Sequence, residues 1–326
     1  VMSFRYDPAT IAVVKAIPGR KYDPKTKTWA CPDCITTRAF IKHLLGIQLG
    51  YKACEPQEDP CQIESIVKPF AHQESIARTI AWCYQQNRGL GVFAETGTGK
   101  TKAVIDAIQH IQPPNVLIVV PPPLIFVWQR EAEKHGMPLT VIHGPKRKIP
   151  NERGRWITSY QTLVNDVDKW KQTDIDMMVI DESQCVKNPS ANRTKAVAAI
   201  ECDSKIMLTG TPYGNNYQDV WSQIQIAYPG LFGPKSVFQS AFCEFGEYNE
   251  IIGYKNLELF MQILKRGAVV VRKVDCLDLP PKQYQTIDLS MGTKQRKAYL
   301  RAEAGAVGDM PITQILVQIM KMRQIS

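Results

Sequence analysis

The sequence predicts an α/β fold: a parallel sheet with helices on both faces, preceded by a small α+β module and followed by the start of a further domain. Three observations predict it. Residues 116–120 and 177–180 are unbroken apolar runs, which suit strands buried on both faces of a parallel sheet. Helix-like and strand-like stretches alternate from Pro69 to about Val274. A Gly-rich turn leaves the short apolar strand 91–94 and runs straight into a helix.

Taken in order, residues 1–54 form the small basic module. Residues 4–6 and 28–31 read as strands, 17–24 as a turn-rich stretch, and Ala39, Phe40, Leu44 and Leu45 as the apolar face of a helix capped by Asp33. Residues 55–68, acidic and carrying Pro56 and Pro60, read as a linker. In the lobe 69–274, residues 72–87 are helical, with Ile76, Ile80 and Cys83 on one side, and 205–208 are a fourth strand. From 275 to 326 the pattern is a crossover through Leu279-Pro280-Pro281, a strand at 284–289 and a basic helix at 294–323, with no closing strand after it.

Composition bounds the function. The 326 residues leave room for two or three domains at about 100–200 residues each, and 44% hydrophobic content can build ordinary cores. No stretch approaches the roughly 18 apolar residues of a membrane span. Nine scattered cysteines point to a reducing compartment (cytoplasm, nucleoid or nucleus) over secretion. The net charge of +9 permits a nucleic-acid partner without requiring one.

The chemistry starts at Ala94-Glu95-Thr96-Gly97-Thr98-Gly99-Lys100-Thr101. Gly97 and Gly99 let backbone amides face phosphates, and the helix that follows adds positive potential from its N-terminus. Thr96 and Thr98 complete the loop. Lys100 can reach the β- and γ-phosphates, and the Thr101 hydroxyl can ligate Mg²⁺. Some eighty residues on, Asp181 and Glu182 follow a buried strand, where ligands of open α/β sheets collect. Asp181 suits the Mg²⁺, and Glu182 suits orienting and deprotonating a water.

These motifs and their order resemble the first motor lobe of superfamily-two helicases, most of all the Swi/Snf-related DNA translocases, over residues 69–326. His72-Gln73 resembles the family's glutamine motif, which implies that Gln73 reads adenine. Residues 116–121 with Trp128 and Glu131, and 157–163, resemble motifs along the nucleic-acid track. Asp181-Glu182-Ser183-Gln184 with Lys187-Asn188 and Ser190 resembles the metal box, with Gln184 where the family usually has His. Leu208-Thr209-Gly210-Thr211-Pro212 with Asn215 resembles the coupling motif, which implies that Thr209 and Thr211, with Gln184, link the γ-phosphate to the DNA track. Val271-Arg272-Lys273, Leu279-Pro280-Pro281-Lys282 and residues 321–325 resemble the crossover and the start of a second lobe. The resemblance implies a RecA-like P-loop lobe, ATP and Mg²⁺ as cofactors, and DNA-dependent ATP hydrolysis coupled to movement on duplex or branched DNA. No second-lobe arginine motif follows, so the chain is expected to be an incomplete motor. A strand-separating helicase and a non-catalytic ATP- and DNA-binding fragment remain the alternatives.

The N-terminal stretch 17–24 with Lys27, Trp29 and Pro32 resembles the HARP module of annealing helicases, which implies binding of branched DNA. Read from the residues, Arg20, Lys21, Lys25 and Lys27 around Tyr22 and Trp29 form a basic-aromatic patch suited to phosphate contact and stacking. The alternative is a solvated hairpin with Trp29 in its core. Lys146-Arg147-Lys148 with Arg153 and Arg155 is a second charge run, read as a solvated face or a phosphate contact. Cys31, Cys34, Cys54 and Cys61 supply four thiols, but only the first pair has zinc-ligand spacing, which favours ordinary reduced cysteines. Trp221, Phe232 and Phe238 are expected in the core.

Overall fold

The computed structural model describes residues 2, 7–46, 56–60, 62–150, 152–212, 216–278, 280, 285, 290–304, 317, 319, 320, 322 and 323. They fall into two compact units, Val1–Asp278 and Leu279–Ser326.

The N-terminal module holds helix α1 (Pro8–Lys15), strands β1 (Lys21–Asp23) and β2 (Thr28–Ala30), and helix α2 (Ile35–Leu45). The sequence pattern gives no expectation of helix α1. The β1–β2 hairpin pairs Tyr22 with Trp29 across the strands. Its turn closes because the Asp23 carboxylate accepts the Lys25 amide at 2.9 Å and the Thr26 hydroxyl at 2.8 Å, with Lys27 in the left-handed region at φ +53°. The expected strand 4–6 lies outside the described residues.

Asp33 does not cap α2. It lies one residue too early and forms a two-pronged pair with Arg38. Cys34 is the cap, its Sγ accepting the Thr37 amide at 3.5 Å. The free amides at the start of α2 reach further: Ile35 donates to Gly230 O at 3.0 Å and Thr36 to Leu231 O at 3.2 Å. Ile35 and Phe40 share one buried cluster with Phe232, Phe238, Phe242 and Phe260, so the module is packed onto the lobe.

Residues 56–60 and 62–68, expected as a linker, are irregular and pinned to the lobe. Ile63 is buried in the main core. Ser65 donates to Asp106 at 2.8 Å, and the Lys102 ammonium meets Asp106 at 2.5 Å. The buried Asp59 accepts from Gln85.

The lobe follows as α3 (Ala71–Gln85), β3 (Leu90–Ala94), α4 (Lys100–Ile111), β4 (Asn115–Val120), α5 (Leu124–Lys134), β5 (Thr140–Val141), β6 (Gly154–Ser159), α6 (Tyr160–Asn165), α7 (Val167–Trp170), β7 (Met177–Asp181), a 3₁₀ turn (Ser183–Val186), α8 (Asn192–Ala199) and β8 (Ser204–Thr209). Then come α9 (Gln218–Ala227), α10 (Lys235–Phe242), the hairpin β9 (Cys243–Phe245) and β10 (Ile251–Tyr254), α11 (Leu257–Leu264), β11 (Ala268–Val271) and α12 (Lys273–Cys276). The second unit contains α13 (Thr293–Ala304), part of the expected basic helix; most of the expected strand 284–289 lies outside the described residues.

Seven strands form one sheet in the order β11-β3-β8-β7-β4-β6-β5, parallel throughout. Every residue of β3, β4 and β7 is buried, which is why their sequences are continuously apolar rather than alternating. Because all strands run the same way, their carboxyl ends share one edge. The segments after β3, β4, β6, β7, β8 and β11 therefore meet there.

Candidate functional site

The loop after β3 is shaped by its glycines and by α3. Gly97 and Gly99 have φ of +86° and +80°, a region that glycine enters without the steric cost other residues incur. The Thr98 hydroxyl donates to Glu95 O at 2.8 Å and closes the turn. From α3, His72 Nε2 and Gln73 Nε2 both bond Thr98 O, at 2.8 and 3.1 Å. A side chain at Gly99 would collide with Gln73, since a Cβ there would sit 2.1 Å from its amide nitrogen. Gln73 Oε1 also accepts the Phe70 amide at 3.1 Å, so its carboxamide ties the loop to the start of α3. Lys100 leads α4 and donates to Ala94 O at 2.8 Å. Thr101 follows on the first turn, half-buried; Thr96 is exposed.

The segment after β7 carries the carboxylates. Asp181 is buried, its Oδ2 accepting the Trp128 indole N–H at 2.7 Å and its Oδ1 the Glu182 amide at 2.8 Å. Tyr160 donates to Asp181 O at 2.6 Å. Burial pushes the Asp181 carboxyl above the usual carboxylate value, while the Trp128 and Glu182 bonds pull it back. Burial likewise lowers the Lys100 ammonium, opposed by the charges of Asp181 and Glu182, so the three groups act on one another. Glu182 holds φ +49°, a strained backbone for a residue with a Cβ.

From Glu182 a continuous set of hydrogen bonds runs to the loop after β8. Gln184 donates to Glu182 Oε2 at 2.7 Å, Thr209 donates to Gln184 Oε1 at 2.7 Å, and the Thr211 amide donates to Thr209 Oγ1 at 3.0 Å. Donor and acceptor types orient every member: the carboxylate only accepts, so the Gln184 NH₂ must face it, its carbonyl then takes the Thr209 proton, and the hydroxyl lone pair is left for Thr211. Between the two threonines, Gly210 lies against the phosphate loop; a Cβ there would come within 2.9 Å of Thr96 Oγ1. Behind this set, the Ser183 hydroxyl donates to Gln223 Oε1 at 2.6 Å and Gln223 donates to Pro212 O at 2.9 Å.

The structure thus brings Gln73, the 96–101 loop, Asp181, Glu182, Gln184, Thr209 and Thr211 to one edge; Asn215 lies outside the described residues. Sequence reasoning misses the roles of Trp128, Tyr160 and Gln223. A readable signal exists for the tryptophan, because a buried indole N–H needs an acceptor. Among the described residues no group of three or more His, Cys, Asp or Glu converges on a metal. Mg²⁺ keeps waters and phosphate oxygens and needs only one or two protein ligands. The donor set present, a buried carboxylate and a hydroxyl beside a phosphate loop, fits it.

The basic patch is elsewhere. Arg20, Lys21, Lys25 and Lys27 are exposed on the hairpin, whereas Trp29 is half-buried against Val14, Ile17 and Ile41 and touches Tyr22 with ring centroids 5.0 Å apart. Trp29 is therefore mostly a core residue of the module. Arg147 pairs with Asp166 and donates to Gly144 O, which ties it into the fold. Cys34 is buried as a helix cap, while Cys54 and Cys61 lie outside the described residues. Trp221, Phe232 and Phe238 are buried, as expected.

The model of the SNF2-related domain matches residues 72–326, and that of the HepA-related protein (HARP) family matches residues 1–31. The chain is 29% identical over 243 residues to helicase ssl-1 of Caenorhabditis elegans, covering 66% of this chain and 10% of that protein. It is 28% identical over 314 residues to the Zorya protein ZorD of Escherichia coli, covering 83% and 29%. The chain thus spans less than a third of the length of these relatives. The fold matches the SWI2/SNF2 ATPase core of Sulfolobus solfataricus in complex with dsDNA, with a TM-score of 0.57 and 24% identity over 84% of this chain and 60% of that one. Among the described residues no helix is long and apolar enough to cross a membrane.

Proposed function

The chain belongs to the SNF2-related domain family, and from that membership we propose that it binds Mg-ATP at the carboxyl edge of its sheet and hydrolyses it in response to DNA, as the motor of a translocase. The observation that carries this reading is the hydrogen-bonded run Glu182–Gln184–Thr209–Thr211. It joins the carboxylate suited to activate water to a loop that leans on the phosphate loop.

In this reading Gly97 and Gly99 aim loop amides at the phosphates, and Lys100 exchanges its carbonyl partner for a phosphate oxygen. Thr101 and Asp181 would hold Mg²⁺, which neutralises charge on the phosphates when bound. Glu182, with Oε2 held by Gln184, takes the proton of the attacking water on Oε1. Movement of Thr209 and Thr211 then follows the state of Glu182 and passes to the segment beyond β8. Duplex DNA is the favoured track, supported by the dsDNA in the structurally similar core. The exposed basic hairpin and the match of residues 1–31 support a second DNA contact, to branched DNA, at the module.

The test is nucleotide binding and ATP turnover with no DNA, single-stranded, duplex and forked DNA. Glu182→Gln should keep ATP binding and cut turnover by roughly 10²–10⁴-fold; Lys100→Ala should lose binding. Unchanged turnover in Glu182→Gln would rule out this mechanism.

A further inference from the structure

The strand β11 ends level with the phosphate loop. It pairs in parallel with β3, Val271 opposite Ala94, so the residues after each strand emerge side by side. Glu95 locks them together: its amide donates to Val271 O at 3.0 Å, and its carboxylate accepts the Lys273 amide at 2.9 Å. The Lys273 side chain then lies over the glycine turn. A Cβ added to Gly97 would sit 3.5 Å from Lys273 Cε and 3.6 Å from its Nζ. The neighbouring cation is engaged otherwise, since Arg272 is bound by both carboxylate oxygens of Asp275, at 2.8 and 3.0 Å. Among the described residues the Lys273 ammonium has no carboxylate partner. Its charge reaches the site, being one of the influences that lower the Lys100 ammonium.

We infer that Lys273 is a second phosphate-contacting ammonium of the nucleotide site, supplied by the segment after β11 rather than by the phosphate loop. The geometry explains why the position matters. Among the described residues, the atoms nearest a Cβ at position 97 belong to this lysine, at ordinary contact distance, so its ammonium lies beside the glycine turn. A triphosphate laid on the loop amides brings several negative oxygens beneath Nζ, and a lysine acts there as a point charge with three donors. Glu95 fixes the Lys273 backbone, its carboxylate accepting that amide. This inference rests on the ATP-site reading above.

The test is displacement of a fluorescent ATP analogue by ATP, ADP and AMP, using the protein and its Lys273→Ala, Lys273→Arg and Lys100→Ala variants, with thermal melting alongside. Lys273→Ala should weaken ATP by roughly ten- to a hundredfold, the range of one charge-assisted hydrogen bond, and weaken AMP much less. Lys273→Arg should recover most of the loss, since it restores the charge. Equal weakening of ATP and AMP, or equal loss in the Ala and Arg variants, would mean that Lys273 only shapes the loop and would overturn the inference. Loss of ATP in Lys100→Ala but not in Lys273→Ala would overturn this inference alone. Loss in neither would overturn the ATP site itself.

Discussion

Gln184 bridges Glu182 and Thr209 with one hydrogen bond of 2.7 Å on each side, its NH₂ toward the carboxylate and its carbonyl toward the hydroxyl. A carboxamide does this at any physiological pH, because it has no proton to gain or lose. Replacing it by Ala should lower DNA-stimulated turnover by about tenfold or more while ATP affinity holds, read as a fall in kcat against an unchanged Kd. Gln184→His should restore much of the turnover but add a step to its pH profile near the imidazole range, at about pH 6–7. Protonated, the ring can only donate and no longer accepts from Thr209. A wild-type profile with that same step would show that the bridge is not what titrates.

Trp128 is the buried donor whose hydrogen bond to Asp181 opposes the upward push of desolvation on that carboxyl. Asp181 has its pKa raised relative to the unfolded chain, so its ionised form costs stability above that range and the cost is relieved as pH falls through the folded value. Trp128→Phe removes a bond that lowers the pKa, so the carboxyl rises further. The Mg²⁺-dependent part of ATP binding should then fall away at a higher pH on the acid side than in the wild type. Titrations of nucleotide with and without Mg²⁺ between pH 5 and 8 measure this. Stability at neutral pH should drop by about 1–3 kcal/mol, read by denaturant unfolding.

Asp106 is fully buried and meets the Lys102 ammonium, itself only 9% exposed, at 2.5 Å, with Ser65 bonded to both. Asp106→Ala strands that ammonium and should cost about 3–5 kcal/mol. The double change Lys102→Met with Asp106→Leu should cost far less, because no charge is left without a partner. Urea melts of the two variants decide it. A single variant as stable as the double would mean that Lys102 finds water.

The exposed lysines of the hairpin should act on DNA and not on nucleotide. Changing Lys21, Lys25 and Lys27 together to Ala should weaken binding to forked DNA. It should also flatten the plot of log K against log salt, by about one unit for each phosphate the hairpin no longer neutralises. ATP affinity without DNA should be unaltered. An unchanged salt slope would place the DNA contact elsewhere.

Much of the site is legible in the sequence because its chemistry is local. Gly97, Gly99, Lys100 and Thr101 lie within one turn of chain, and Asp181 and Glu182 are neighbours, so their spacing alone carries the expectation of phosphate and metal roles. The strands β3, β4 and β7 are legible for a related reason: burial on both faces leaves an unbroken apolar run. The edge strand β11 escapes such a reading, although Val269-Val270-Val271 is a β-branched run; at the end of the sheet only Ala268 of its four residues is buried, so it is not written as a run covered on both faces. Residue type favours Asp33 as the cap of α2, and the backbone geometry gives that place to Cys34.

The sequence by itself determined the glycine loop, the paired carboxylates and the parallel sheet, since each is written in contiguous residues whose spacing obeys backbone geometry. Only the tertiary structure decided what lies beside them. Strand order places β8 between β3 and β7, which puts Gly210 against Thr96 and Thr209 within reach of Gln184. It also placed Trp128 on Asp181, Lys273 over Gly97, and the N-terminal module on the carbonyls of Gly230 and Leu231. These partners are separated by tens to hundreds of positions along the chain, and hydrogen bonding and packing between such residues depend on the fold having already closed.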